Sequence, residues 1–248
     1  MGAVDGRNPA TPQQALAIIA DWLGAADPKS GWGGPIGRST EPSPAIPAVD
    51  LERDRLDVDA CRACRLGEGR RNAAYGEGSA EPLVLVVGEG PGAEEDAQGR
   101  PFVGPAGRLL DRMLASIGLS RETNCYIANI VKCRPPGNRE PAPDEKEACM
   151  PWLERQIEAL RPRFIVAMGR TAATALLGSA EGIGKLRGRW FERRGIPLIA
   201  TYHPSALLRD ESLKRPAWED LKTLKFRLSE LEPRRDGEPG GGDDPGNG

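Results

Sequence analysis

Leu83-Val84-Leu85-Val86-Val87-Gly88-Glu89-Gly90-Pro91-Gly92 decides the fold of this chain. Five apolar residues in a row, three of them β-branched, suit a strand buried on both faces. The strand ends in a Gly/Pro loop, where the absence of Cβ atoms lets backbone approach a ligand closely. Ligands of open α/β sheets bind at the carboxyl ends of strands, so this loop is the first candidate for a site. It lacks the Gly-Lys-Ser/Thr of a phosphate-binding loop and the spacing of a dinucleotide fingerprint. An acidic run, Glu94-Glu95-Asp96, and then Gly99-Arg100-Pro101-Phe102-Val103-Gly104 follow it.

Outward from that strand the pattern alternates. Ala106–Ile117 carries Leu109, Leu110, Met113, Leu114 and Ile117 at helical spacing, with Gly118 as C-terminal cap. Cys125–Val131 reads as strand two, Pro143–Leu160 as a helix with an acidic first turn, and Phe164–Met168 as strand three. Thr171–Leu177 starts another helix, Pro197–Tyr202 is strand four, and Trp218–Leu228 is the last helix. Strands alternating with helices predict a parallel sheet covered on both faces.

The flanks differ in composition. Residues 1–50 are expected to be a flexible extension, Gly/Pro-rich from Gly24 to Pro47, with one short helix over Thr11–Leu23. Residues 51–232 hold the folded domain, and 233–248 read as a disordered acidic tail. The net charge of −2 argues by itself against a nucleic-acid partner. Its distribution reverses that reading: residues 61–229 carry 27 basic and 21 acidic side chains, so acidic flanks hide a basic middle. No run of about 18 apolar residues suggests a membrane span. The N-terminus has no secretory signature, so a cytoplasmic protein is expected.

Disulfides are rare in that compartment, so the five cysteines need another explanation. Cys61-Arg62-Ala63-Cys64 is a close pair; Cys133 follows strand two and Cys149 lies in the next helix. On spacing alone these four fit zinc, an iron–sulfur cluster or free thiols. Cys125, inside strand two, reads as an inert buried thiol. The single histidine, His203, follows strand four in His203-Pro204-Ser205-Ala206-Leu207-Leu208-Arg209, at the same sheet edge as Gly88, Asn129 and Cys133. Just upstream, Lys185–Arg194 interleaves five basic residues, Arg187 and Arg189 among them, with Trp190 and Phe191. This is either a solvated charged hairpin or a phosphate-contacting rim with an aromatic anchor.

Taken together, Cys61-x2-Cys64, the Gly88 loop with its acidic run, Gly99–Gly104, Asn129-Ile130-Val131-Lys132-Cys133-Arg134-Pro135-Pro136, Cys149 and the His203 motif resemble the family 4 uracil-DNA glycosylases. The match covers about Leu56 to Leu228, with the motifs in the family's order. The resemblance implies a three-layer α/β/α fold around a four-stranded parallel sheet, and a [4Fe–4S] cluster on Cys61, Cys64, Cys133 and Cys149. It implies that uracil is flipped out of DNA, single- or double-stranded, and released as the free base by a monomeric enzyme.

In that reading the backbone of Gly88, Gly90 and Gly92 lines the base site. Phe102 stacks on uracil, Asn129 pairs with its edge, and Glu95 helps wall off the 5-position. His203 donates a hydrogen bond to the uracil oxygen as charge develops there. Gly90 stands where better-known relatives place a water-activating aspartate, so Glu89 is the nearest carboxylate for that role. Leu207 is the expected wedge into the vacated stack, and Ser205 and Arg209, with Arg187 and Arg189, face DNA. Two alternatives stay open: another base specificity, such as hypoxanthine or a mismatch, or a non-catalytic binding module on the same fold.

Overall fold

The computed structural model describes residues 50–231. The helix expected at Thr11–Leu23, the linker after it and the acidic tail lie outside the described residues. In chain order the elements are α1 (Leu51–Ala60), α2 (Leu66–Gly69), β1 (Glu77–Gly78), β2 (Val84–Gly88), α3 (Ala93–Gln98), α4 (Pro105–Ala115), β3 (Cys125–Asn129), α5 (Pro143–Leu160), β4 (Phe164–Met168), α6 (Gly169–Leu177), α7 (Ile183–Leu186), β5 (Trp190–Arg193), β6 (Ile196–Thr201), α8 (Pro204–Arg209) and α9 (Lys214–Ser229).

The strands form one six-stranded sheet in the order β1-β3-β2-β4-β6-β5. β3, β2, β4 and β6 run parallel, whereas β1 and β5 pair antiparallel at the two edges. The sheet is therefore mixed and six-stranded, a correction to the expected four parallel strands. β1 is only two residues long, too short for a periodicity signal. β5 is an edge strand whose alternation splits its aromatics: Trp190 packs toward one face and Phe191 toward the other.

Helices cover both faces. Val84, Val86, Ile127, Phe164 and Val166 meet Leu109, Leu110 and Met113 of α4 and Leu221 and Leu224 of α9. The alternate residues, Leu85, Val87, Ala128, Ile165 and Ala167, meet Leu153 and Ile157 of α5 and Ala172 and Leu176 of α6. This period-two division explains why the central strands read as unbroken apolar runs: neither face reaches water. No helix among the described residues is long and apolar enough to cross a membrane.

The parallel register brings four strand ends to one edge. Gly88 lies opposite Asn129, and Met168 opposite Thr201, two residues before His203.

Candidate active site

At that edge lies a cleft of about 550 Å³, a size typical of small-ligand sites. Gly88 explains its inner wall. A Cβ on residue 88 would stand 2.5 Å from Asn129 Oδ1 and 2.5 Å from Phe102 Cζ, so glycine is what lets amide and ring converge. Asn129 is 1% exposed, and its Oδ1 is buried without a hydrogen-bond partner. Leaving such an acceptor unpaired costs about 1–3 kcal/mol, which marks it as a group waiting for a donor from a ligand.

His203 closes the opposite side. Its ring centroid lies 5.4 Å from that of Phe102, tilted by 33°. Nδ1 accepts the backbone N–H of Ser205 at 3.1 Å and lies 2.8 Å from the Ser205 hydroxyl. With Nδ1 an acceptor, the proton of the neutral ring sits on Nε2. Burial first, then the charge of Arg209, lower the imidazole pKa to about 4, against the opposing pull of Glu95. The ring is therefore a neutral donor near pH 7. Gly169, at φ +88°, presses on it from below: a Cβ there would lie 2.9 Å from that of His203.

Glu95 holds the cleft's loops together. Its Oε1 accepts N–H bonds from Val103 and Gly104, each 2.9 Å, and its Oε2 accepts from Gly92 at 3.1 Å. Its carboxylate thus braces the loop carrying Phe102 against the loop after β2. Glu89 also lines the cleft, with Oε2 accepting the Thr171 hydroxyl at 2.5 Å. Position 90 has little room for a side chain, since a Cβ would meet Val131 Cγ2 at 2.7 Å.

On the far side of β3, Cys61, Cys64, Cys133 and Cys149 line one small cavity with Arg70 and Lys132. Arg70 Nη1 donates to Cys133 Sγ at 3.0 Å, and the backbone N–H groups of Lys132 and Ala63 point at Cys149 and Cys61, at 3.3 and 3.5 Å. Burial pushes the Cys149 thiol up to about 11 and raises that of Cys133. Among the described residues no three His, Cys, Asp or Glu side chains converge closely enough to hold a single metal ion. Cys125 lies apart, fully buried in β3, its thiol raised to about 12 by burial.

A family model of the uracil DNA glycosylase superfamily matches residues 75–222. A type-4 uracil-DNA glycosylase of Thermotoga maritima is 47% identical over 174 residues, covering 68% of this chain and 89% of the relative. Another, of Saccharolobus solfataricus, is 42% identical over 190 residues, 73% of this chain and 87% of the relative. The chain belongs to the type-4 uracil-DNA glycosylases. A type-5 uracil-DNA glycosylase of Thermus thermophilus is more distant, 36% identical over 160 residues, 52% of this chain and 73% of the relative.

Within this type-4 chain, the cleft gathers Glu89, Gly90, Gly92, Glu95, Phe102, Asn129, His203, Ser205 and Arg209 from the residues singled out in the sequence. Three of the DNA-facing expectations need correction. Leu207 is fully buried and packs in the core beneath α4, so it is no wedge; its neighbour Leu208 is 48% exposed. Arg187 is spent internally: its guanidinium donates to Asp220 at 2.7 and 3.0 Å and to the Pro216 carbonyl, and it stacks over Tyr202. Trp190, one of the two aromatics of that rim, is half-buried, packing against Phe164 and under Arg227 at the edge of the core. Arg189 is exposed, over Phe191 and outside the cleft lining.

Sequence reasoning missed Gly169, Arg170, Thr171, Tyr202 and Arg139, which also line the cleft. Met168-Gly169 repeats the strand-then-glycine signal of Val87-Gly88, and that signal was enough to find the first three.

Proposed function

We propose that this chain removes uracil from DNA by hydrolysing its N-glycosidic bond, with the flipped base held between Phe102, Asn129 and His203. The observation that carries the reading is the unpartnered Asn129 Oδ1 in the cleft. Uracil offers an imide N–H for that oxygen and a carbonyl for the amide nitrogen; cytosine offers the reverse pattern. The type-4 names of relatives at 41–47% identity support the same substrate.

Chemistry follows from charge. As the bond to the sugar breaks, negative charge collects on the base, and His203 Nε2–H is the donor that meets it. A neutral donor fixed by Ser205 costs no reorganisation as the charge develops. Glu89 is the carboxylate available to water or to the cationic sugar. One of its oxygens is engaged by Thr171, and the three N–H bonds of Glu95 leave that residue a bracing role. An aspartate at position 90 has no room without displacing Val131.

Arg170 and Arg209 at the cleft are the residues proposed to meet phosphate, with Ser205 beside them in the lining and Arg189 exposed outside it; Arg139, like Arg187, is held internally, donating to buried Glu145 at 2.7 Å from each of two nitrogens. Leu208 takes the wedge role expected of Leu207. It lies three residues after Ser205 on α8, beside the cleft and open to solvent. Ser205 keeps a second role through Nδ1 of His203.

The four cysteines are proposed to hold a [4Fe–4S] cluster. Three sulfurs already receive N–H donors, and two cationic side chains stand beside them, a setting suited to an anionic polynuclear centre. When bound, the cluster ties the Cys61–Cys64 segment to β3 and α5, and no redox chemistry is required of it.

The test is base release from matched oligonucleotides carrying uracil, hypoxanthine or a thymine mismatch. Release of uracil alone is expected. Release of hypoxanthine at a comparable rate would move the specificity elsewhere in the superfamily, and no release from any substrate would leave a binding module.

A further inference from the structure

Phe102 is held in a backbone conformation that few side chains adopt. Its φ is +52°, in the left-handed region where a bulky residue is strained, typically by about 1–3 kcal/mol. Such strain persists only where surrounding groups over-determine it. Gly107, in the first turn of α4, is one of them: a Cβ there would land on the Phe102 carbonyl, so glycine lets the helix press against the turn. The second is Arg121, a residue outside every motif named above and only 7% exposed.

Arg121 grips the turn from inside. Its Nη1 donates to the Pro101 carbonyl at 3.0 Å and its Nη2 to the Phe102 carbonyl at 2.8 Å. The same guanidinium pairs with Asp111 through Nε and Nη2, at 3.0 and 2.7 Å. Glu77 stands 3.9 Å from its Nη1 and also takes both donors of Arg100, one residue before the turn, at 2.6 and 2.7 Å. Two consecutive carbonyls and two acids thus share one planar fork, a geometry that a lysine ammonium does not reproduce.

We propose that Arg121 is a positioning residue for glycosylase specificity and rate: it fixes the strained Phe102 turn so that the ring stands ready to receive the flipped base. The inference rests on the reading of Phe102 as the stacking platform. Positioning of this kind has a large effect, since misplacing a reacting or stacking group by about 1 Å costs on the order of 100-fold in rate.

The experiment is a double-mutant cycle of Arg121→Lys and Phe102→Ala, read as single-turnover uracil release, with melting temperatures of all four proteins. If Arg121 acts through the ring, Arg121→Lys slows release about tenfold in the parent and less than about twofold when Phe102 is already alanine. Equal slowing in both backgrounds overturns the inference and makes Arg121 a general structural residue. If Arg121→Lys does not fold, Asp111→Asn, which loosens the same fork from its acid side, takes its place in the cycle with the same two outcomes. Full activity of Phe102→Ala by itself instead sinks the stacking reading, so the two failures are told apart.

Discussion

The protonation state of His203 gives the sharpest test of the site. Its pKa is lowered from 6.5 to about 4, chiefly by burial. At pH 7 the ring is then charged in roughly one molecule per thousand. The neutral Nε2–H donor is therefore fully present from about pH 5 upward and is lost as pH falls through about 4. A histidine acting as imidazolium predicts the opposite sense, with activity declining as pH rises through about 6.5. Single-turnover uracil release, measured from about pH 5 to 8, is expected to show no titration assignable to this residue. His203→Ala is expected to lower the rate about 100–1000-fold, the usual cost of about 2.7–4 kcal/mol for one donor to a developing anion. Affinity for uracil-DNA changes far less, because the ground-state carbonyl is a weaker acceptor. A rate falling about tenfold per pH unit above about 6.5, abolished in His203→Ala, would refute the neutral-donor argument. So would a His203→Ala enzyme that loses binding yet keeps its single-turnover rate. The same shift links folding to pH. The unfolded imidazole takes up its proton below 6.5, the folded one only near 4, so its contribution to stability is lost as pH falls across that window.

Asn129→Ala is expected to weaken uracil-DNA binding as well as rate and to relax discrimination against cytosine, both read on one oligonucleotide pair. Leu208→Ala should slow release from duplex DNA more than from single strands, while Leu207→Ala should lower the melting temperature, the cost of a buried leucine being about 2–5 kcal/mol. Neutralising Arg170 and Arg209 should flatten the salt dependence of DNA binding by about one unit of slope for each phosphate no longer neutralised, whereas Arg187→Gln should lower stability and leave the slope unchanged. Protein purified without air should be brown with about four irons per chain, and Cys64→Ser should lose colour and stability together; tightly bound zinc without iron would defeat the cluster assignment.

The parts of the site that were legible in the sequence are those set by short-range rules. A strand buried on both faces announces itself by unbroken apolar residues, and its carboxyl end locates Gly88, Asn129 and His203 without knowledge of strand order. What the sequence hid depends on partners far along the chain. Arg187 looks like a free cation until Asp220, 33 residues later, is placed against it. Leu207 and Leu208 are adjacent in a six-residue helix, and only the packing of α8 on α4 decides which one faces the core. The acidic run that carries Glu95, expected as a wall of the base site, is a helix whose third residue, Glu95, collects three N–H groups from two loops. Arg121 carried no signal, because what makes it notable is the strain in a turn some 20 residues away.

The crowding of residue 90 against Val131 also bears on how such an enzyme diversifies. A glycine codon becomes an aspartate or a glutamate codon by one base change, so a carboxylate in the loop after β2 is always one mutation away. Here the new side chain would begin 2.7 Å from Val131 Cγ2, on the segment that leads from Asn129 to Cys133. The single change thus disturbs the chain between Asn129 and Cys133 before it supplies a working base. A carboxylate there requires the Val131 side chain to move or to shrink, so the residues at positions 90 and 131 should be inherited together.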